Sequence, residues 1–170
     1  MVSFYPGLKA GLKLATPLYS VEREYAVDLS TLWRAWVEAD QLQKWYSPEV
    51  LETVPNTATS EASIGGAWAI AVDVSVNGFN AYFWGKYTDV KFEEKLVHTM
   101  FYSQDELEFN LRGEDQPHHV IEIDFEERGK NSWVRFSQFG SMDPEQAEAT
   151  KDGMESYFNN LANYLGHKEK

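Results

Sequence analysis

The segment Tyr25-Ala-Val-Asp-Leu-Ser-Thr-Leu-Trp-Arg-Ala-Trp-Val-Glu-Ala-Asp-Gln-Leu-Gln-Lys-Trp-Tyr-Ser-Pro48 constrains the fold most, because it reads as a strand passing into two short helices. Ser20 to Val27 places Val21, Tyr25 and Val27 on alternate positions, the period of a half-buried strand. Asp28 or Ser30 can then accept an orphan backbone N–H and cap a helix. Leu32, Trp33, Trp36 and Val37 form one apolar stripe of that helix. Asp40 is expected to cap the second helix, which carries Leu42, Trp45 and Tyr46. Pro48 ends it, because the residue before a proline is pushed out of helical geometry.

Beyond Pro48 the pattern changes to strands. Glu49–Val54 reads as a short strand and Pro55–Ser63 as a polar loop. Gly65-Gly66 opens a strand over Ala67–Val74, and Asn77-Gly78 predicts a two-residue hairpin turn into Phe79–Val90. Lys95–Ser103, His118–Glu127 and Trp133–Phe139 continue as strands, the last two joined by a tight turn at Arg128-Gly-Lys-Asn131. Strands joined by short turns make an antiparallel meander. The last element is a helix. Asp143-Pro-Glu-Gln146 is a helix start, with a cap and a proline at the first helical position. Met154, Tyr157, Phe158, Leu161 and Leu165 then form one apolar face, and Gly166 is placed to end it. The fold class is α+β, with one domain over 20–166, an irregular leader over 1–19 and a short tail over 167–170.

Composition narrows the function. The net charge of −12 opposes non-specific attraction to nucleic acid or to an anionic membrane. No apolar run approaches the ~18–20 residues of a membrane helix. The leader is broken by Pro6, Gly7, Gly11 and Pro17 and lacks the apolar core of a signal peptide. With no cysteine, disulfides and thiolate chemistry are excluded, and a cytoplasmic location is expected. The 6 Trp, 9 Tyr and 10 Phe are more rings than an ordinary core requires, and rings also line ligand sites.

No nucleotide-binding loop, zinc-protease or nucleophile-elbow signature is present, so no catalytic residue, metal or cofactor is assigned. His118 and His119 are adjacent on a strand and point to opposite faces, which prevents joint chelation. Glu122, Asp124 and Glu126 share one face, expected to be solvated, while Ile121, Ile123 and Phe125 point inward. Arg135, between aromatic residues, is expected to lie outward over them. His98 lies between Leu96 and Met100 on an apolar strand. Either it is a core histidine bonded to Thr or Tyr, or its neutral ring meets a ligand. The tract Ala81–Tyr87 is apolar on both faces. Tyr82, Trp84 and Lys86 compete with Ala81, Phe83, Gly85 and Tyr87 for the inner face, and the sequence selects neither.

The succession of a strand, two short helices, a meander and a long terminal helix resembles the START-like (SRPBCC) superfamily. Within it, Leu32-Trp-Arg-Ala-Trp36 with Leu42-Gln-Lys-Trp-Tyr-Ser-Pro48 resembles the C-terminal domain of the activator of heat-shock-protein-90 ATPase. Gly85-Lys-Tyr-Thr-Asp-Val90, Lys95-Leu-Val-His-Thr99 and Gly153-Met154 continue the likeness, which covers about residues 20–166. Two positions depart from the family: Met154, where a Trp is frequent, and Phe92-Glu-Glu94, where a Pro precedes the next strand. Replacing an indole by a thioether changes what fills the space under the helix. The resemblance implies a helix-grip fold, in which a curved antiparallel sheet wraps a long C-terminal helix.

Three functions follow. The first is non-catalytic binding of a small hydrophobic molecule (a lipid, an aromatic or a polyketide-like compound) between sheet and helix. Its expected lining is Trp36, Trp45, Trp68, Tyr82, Trp84, His98, Met100, Tyr102, Met154, Tyr157, Phe158 and Leu161. Of these, His98, Tyr82, Tyr102 and Tyr157 would supply the polar contacts. For Trp36 and Trp45 plain core packing competes with that role. The second is interaction with a chaperone, implied by the family, through an acidic surface. The third is a cyclase or aromatase-type enzyme, which some START-like proteins resemble, using His98 or a tyrosine as acid. Oligomeric state is not legible.

Overall fold

The structure, a computed structural model, describes residues 15–168, with side chains as far as Gly166. The expectations for residues 1–14 and for 169–170 lie outside the described residues. In chain order the elements are β1 (Tyr19–Tyr25), α1 (Leu29–Val37), α2 (Ala39–Trp45), β2 (Glu52–Thr53), β3 (Thr59–Ser60), β4 (Ala67–Val74), β5 (Phe79–Lys91), β6 (Lys95–Ser103), α3 (Glu106–Leu111), β7 (His119–Arg128), β8 (Asn131–Phe139) and α4 (Pro144–Lys168). The strands form one antiparallel sheet in the order β1-β8-β7-β6-β5-β4-β2, with β3 also paired to β4. This is the α+β helix-grip fold.

The topology explains the two short helices. β1 lies at one edge beside β8, and β2 lies at the opposite edge beside β4. The chain between them must cross from edge to edge, and α1 and α2 make that crossing. Asp28 caps α1 by accepting from the Thr31 N–H at 2.7 Å. The helices are separated by Glu38 alone, in extended geometry, whose backbone also begins α2. Asp40 therefore lies in the first turn and is not the cap, a correction to the sequence reading. α2 stops at Tyr46, before Ser47-Pro48. Its end carbonyls are satisfied from α4, since the Asn160 amide donates to Trp45 O at 2.8 Å and to Ser47 O at 3.2 Å.

Three further corrections concern local structure. Val74 and Phe79 flank a four-residue loop, not a two-residue turn. The Asp73 carboxylate accepts from the Ser75 N–H and starts a tight 3₁₀ turn early, and Gly78 alone takes a positive φ, 93°. A type I′ Asn-Gly turn requires both central residues there. The stretch after Ser103 is not only loop, because Asp105 caps α3, accepting from Leu107 N–H. α4 continues through Gly166 to Lys168.

α4 fills the curl unevenly. Phe158, Leu161 and Leu165 are buried to 2% exposure or less, against β1, β8 and the tryptophans of α1 and α2. Towards the N-terminus the same face carries Thr150 and Gly153, with a short and an absent side chain, and the flexible Met154. If packing is solid at one end and open at the other, truncations should differ in cost. Phe158→Ala is expected to lower the unfolding free energy by about 3–5 kcal/mol. Met154→Ala, beside space that is already open, should cost about 2 kcal/mol or less. Urea denaturation measures both, and equal losses would contradict the uneven packing.

Candidate functional site

Between the concave face and the N-terminal half of α4 lies a cavity of about 320 Å³. That is at the small end of the range for small-molecule sites. Its apolar wall is Phe83, Met100, Phe136, Met142 and Met154, and Tyr19, Tyr46, Tyr102, Tyr157, His119 and Gln138 bring polar atoms to it. Three of the four methionines of the chain are in this wall.

Strand register decides which aromatics reach it. Phe83 pairs with Tyr102 and Ile70, so these share the concave face with Met100. Tyr82 and Trp84 are on the other side. There they pack with Phe101 and Phe109 beneath α3, and the Trp84 indole donates to Gly113 O at 2.9 Å. β5 is thus apolar on both faces because α3 covers the one turned from the cavity. Tyr82 and Trp84 are corrected from lining to outer packing, and Phe83 takes their place.

The other expected lining residues divide in two. Met100, Tyr102, Met154 and Tyr157 are at the cavity wall. Trp36, Trp45, Phe158 and Leu161 belong to the solid core, where Trp36 meets Trp45 edge-on at 4.8 Å and the Trp45 indole donates to Ala35 O. Trp68 is also core, stacked on His98 at 4.2 Å between ring centres. None of these five lines the cavity. They form the layer behind it, with Tyr46 resting on Trp45 and Trp68.

His98 is 2% exposed and Nδ1 lies 2.7 Å from Thr99 O. A carbonyl only accepts, so Nδ1 carries the proton. Burial pushes the pKa down to about 4, and the Thr99 bond offsets only part of that. His98 is therefore a neutral core residue. The histidine at the cavity is His119, reached because His118 and His119 do point to opposite faces, His118 lying against Phe101. His119 Nε2 lies 3.2 Å from Ser141 O, and Nδ1 lies 2.7 Å from the Gln138 amide. Gln138 Oε1 accepts from Tyr19 OH. One protonation pattern satisfies the whole row: Nε2–H donates to Ser141 and Nδ1 accepts from Gln138. Gly140, with φ 150°, makes room for it, since a Cβ there would sit 2.0 Å from the His119 ring. The chain offers a weak signal for this residue in the glycine that follows β8.

Tyr46 and Tyr157 meet edge-on at 5.1 Å between ring centres. Desolvation first, then the neighbouring phenol oxygens, raises the pKa of Tyr46 well above its ordinary value. Tyr157 moves the same way for the same leading reason. Both stay protonated and can donate. Tyr87, pushed up to about 12 by burial, is bonded to Ser60 and does not line the cavity.

Charge is kept outside. Among the described residues that line the cavity there is no Asp, Glu, Lys or Arg. On the outer face Lys95 bridges Glu122 and Asp124 at 3.2 and 2.8 Å, and Arg135 reaches Asp124 while lying over the Trp133 ring. Among the described residues no cluster of His, Asp and Glu is placed to hold a metal ion, and no helix is long and apolar enough to cross a membrane.

A curled sheet gripping a terminal helix around a neutral cavity defines the class, and comparison defines the family. The model for "Activator of Hsp90 ATPase homolog 1-like protein" matches residues 26–166. The chain belongs to this family. Solved structures with the same fold include an AHSA1 protein from Silicibacter pomeroyi, with TM-score 0.73 and 20% identity over 88% of this chain and 98% of that one. A protein from Chromobacterium violaceum aligns with TM-score 0.70 and 19% identity, over 85% and 94% of the two chains. One from Arthrobacter aurescens gives 0.71 and 19%, over 87% and 85%. At these identities the likeness shows the fold alone. No curated protein matches the chain.

His98 supplies a test of the buried layer. Its folded pKa lies below the unfolded value of about 6.5. Between those two pH values the unfolded chain binds a proton that the folded chain refuses, so stability is full above about 6.5 and falls as pH drops towards 4. The slope is at most about 1.4 kcal/mol per pH unit. Urea unfolding at pH 7 and pH 5 should show a smaller acid loss for His98→Gln than for the wild type. Equal losses would place His98 in water-accessible surroundings.

Proposed function

We propose that the chain binds a small apolar molecule, without catalysis, in the cavity between the sheet and α4. The observation that carries this reading is Gly153. It sits in the middle of a long helix, where glycine costs roughly 0.5–1 kcal/mol relative to alanine. Neither packing nor backbone demands it, because a Cβ there would meet nothing within 4 Å. It does border the cavity. The missing side chain, with the flexible thioethers opposite, keeps space open that any larger residue would fill. Cavity walls that are mostly apolar, with a few polar atoms to orient a guest, are what a binding site of this kind requires. The domain over 20–166 would act as the binding unit, and a chain without cysteine suits the cytoplasm.

A second reading rests on the family description, which refers to activation of a chaperone ATPase. The charge of −12 would then engage a basic patch on the chaperone. Stimulation of chaperone ATPase activity that fades with salt would favour it. Of the two acids a cyclase-type enzyme would use, His98 is neutral and stands behind the cavity wall, which leaves that reading to a tyrosine alone.

The test uses fluorene, an uncharged fluorescent hydrocarbon. It should bind the wild-type protein at one saturable site and raise its melting temperature. Gly153→Leu is expected to weaken binding by at least about tenfold, a change of about 1.4 kcal/mol. It should unfold at the same temperature or higher, because leucine is a better helix former. Undiminished binding by Gly153→Leu would move the site elsewhere.

A further inference from the structure

The polar atoms facing the cavity are sorted by whether the protein already occupies them. Tyr19 OH donates to Gln138, Gln138 to His119, and His119 to Ser141. Thr150 OH donates to Gln146 O, and Tyr102 OH accepts from Gln104 at 2.8 Å. The Tyr102 proton and the Gln146 side-chain amide are also unused, but both belong to exposed residues at the mouth, which leaves two hydroxyls deeper in the wall. Among the described residues neither Tyr46 OH nor Tyr157 OH has a hydrogen-bond partner, although Tyr46 is only 4% exposed. Among the described residues the fully buried side-chain atoms without a partner are Trp36 Nε1 and Arg135 Nε, so the Tyr46 and Tyr157 oxygens are not sealed in but open onto the cavity, where a guest can accept from them.

We propose that the cavity takes an uncharged molecule with an apolar body and a carbonyl oxygen, and that Tyr46 and Tyr157 donate hydrogen bonds to that oxygen. This rests on the binding reading above and names the chemistry of the guest. Three features select it. Among the described residues no charged side chain lines the cavity, so a carboxylate or an ammonium would enter without a counter-charge from them and lose its hydration. Burial holds both phenols in the protonated form, which makes them donors. Lastly, a carbonyl oxygen has two lone pairs and no proton of its own. It can accept from both hydroxyls and leaves nothing unsatisfied.

Tyr46 owes its place to the local sequence. It follows the last residue of α2, where the approach of Pro48 turns the chain out of helix, with φ −76° and ψ 72°. Asn160 holds that turn to α4 three residues beyond Tyr157. The two donors thus come from different helices joined by one amide.

Titration calorimetry with fluorenone, fluorene and a fluorene carboxylate tests the proposal. The three share a body and differ in the polar group. Fluorenone should bind wild-type protein at least about tenfold more tightly than fluorene, the scale of one or two hydrogen bonds, and the carboxylate should bind most weakly. The double variant Tyr46→Phe with Tyr157→Phe is checked for folding by its urea unfolding transition, and its affinities are read as the ratio of fluorenone to fluorene. The advantage of fluorenone should disappear. The infrared carbonyl stretch of bound fluorenone should lie lower in the wild type than in that variant. Equal affinity for fluorenone and fluorene, or a preference that survives both substitutions, would overturn the assignment and leave apolar binding intact. If no compound of the three binds, the binding reading falls and this one with it.

Discussion

The packing of Phe158, Leu161 and Leu165 into the curl of the sheet anchors α4, and the shape of the interior follows from where those large side chains stop. Behind them Trp36, Trp45 and Trp68 complete a dense aromatic layer. Ahead of them α4 offers Met154, Gly153 and Thr150, and the concave face is not met. One helix therefore does two jobs. Its C-terminal half closes a core, and its N-terminal half roofs a cavity.

The two halves are coupled where α2 ends. An exposed helix end can give its last carbonyls to water, but here they face α4 and the Asn160 amide takes them. That contact fixes the angle between α2 and α4, and with it the approach of Tyr46 to Tyr157. The electrostatics are partitioned in the same way. Ion pairs of Lys95 and Arg135 with Glu122 and Asp124 lie on the outer face, while among the described residues every ionisable group at the cavity is a phenol or a histidine in a satisfied row. An interior without charge favours guests without charge.

Much of the fold was legible from the residues, because hydrophobic period and breakers act locally. Ala67–Val74 and Lys95–Ser103 have the bounds that the apolar runs and turn signals gave, and Pro144 begins α4 after the Asp143 cap. The site was less legible. Which face of β5 lines the cavity depends on α3, and α3 was hidden in a polar stretch whose one buried residue is Phe109. Without that cover, Tyr82 and Trp84 look as good as Phe83. His98 drew attention by its apolar neighbours, yet those neighbours bury it. His119 looked like half of a paired motif, and only the close approach at Gly140 shows where its ring goes. Met142 precedes the helix and belongs to no periodic pattern, so nothing local placed it in the wall.

The central claim is that the space under the N-terminal half of α4 is open to an apolar guest. Three methionines in its wall make that claim directly observable. Methyl NMR of methionine-labelled protein under xenon pressure should show saturable shifts at Met100, Met142 and Met154. Xenon enters dry apolar cavities without needing any polar partner. Three wall methyls that do not respond would mean the interior is filled, and the account would be wrong.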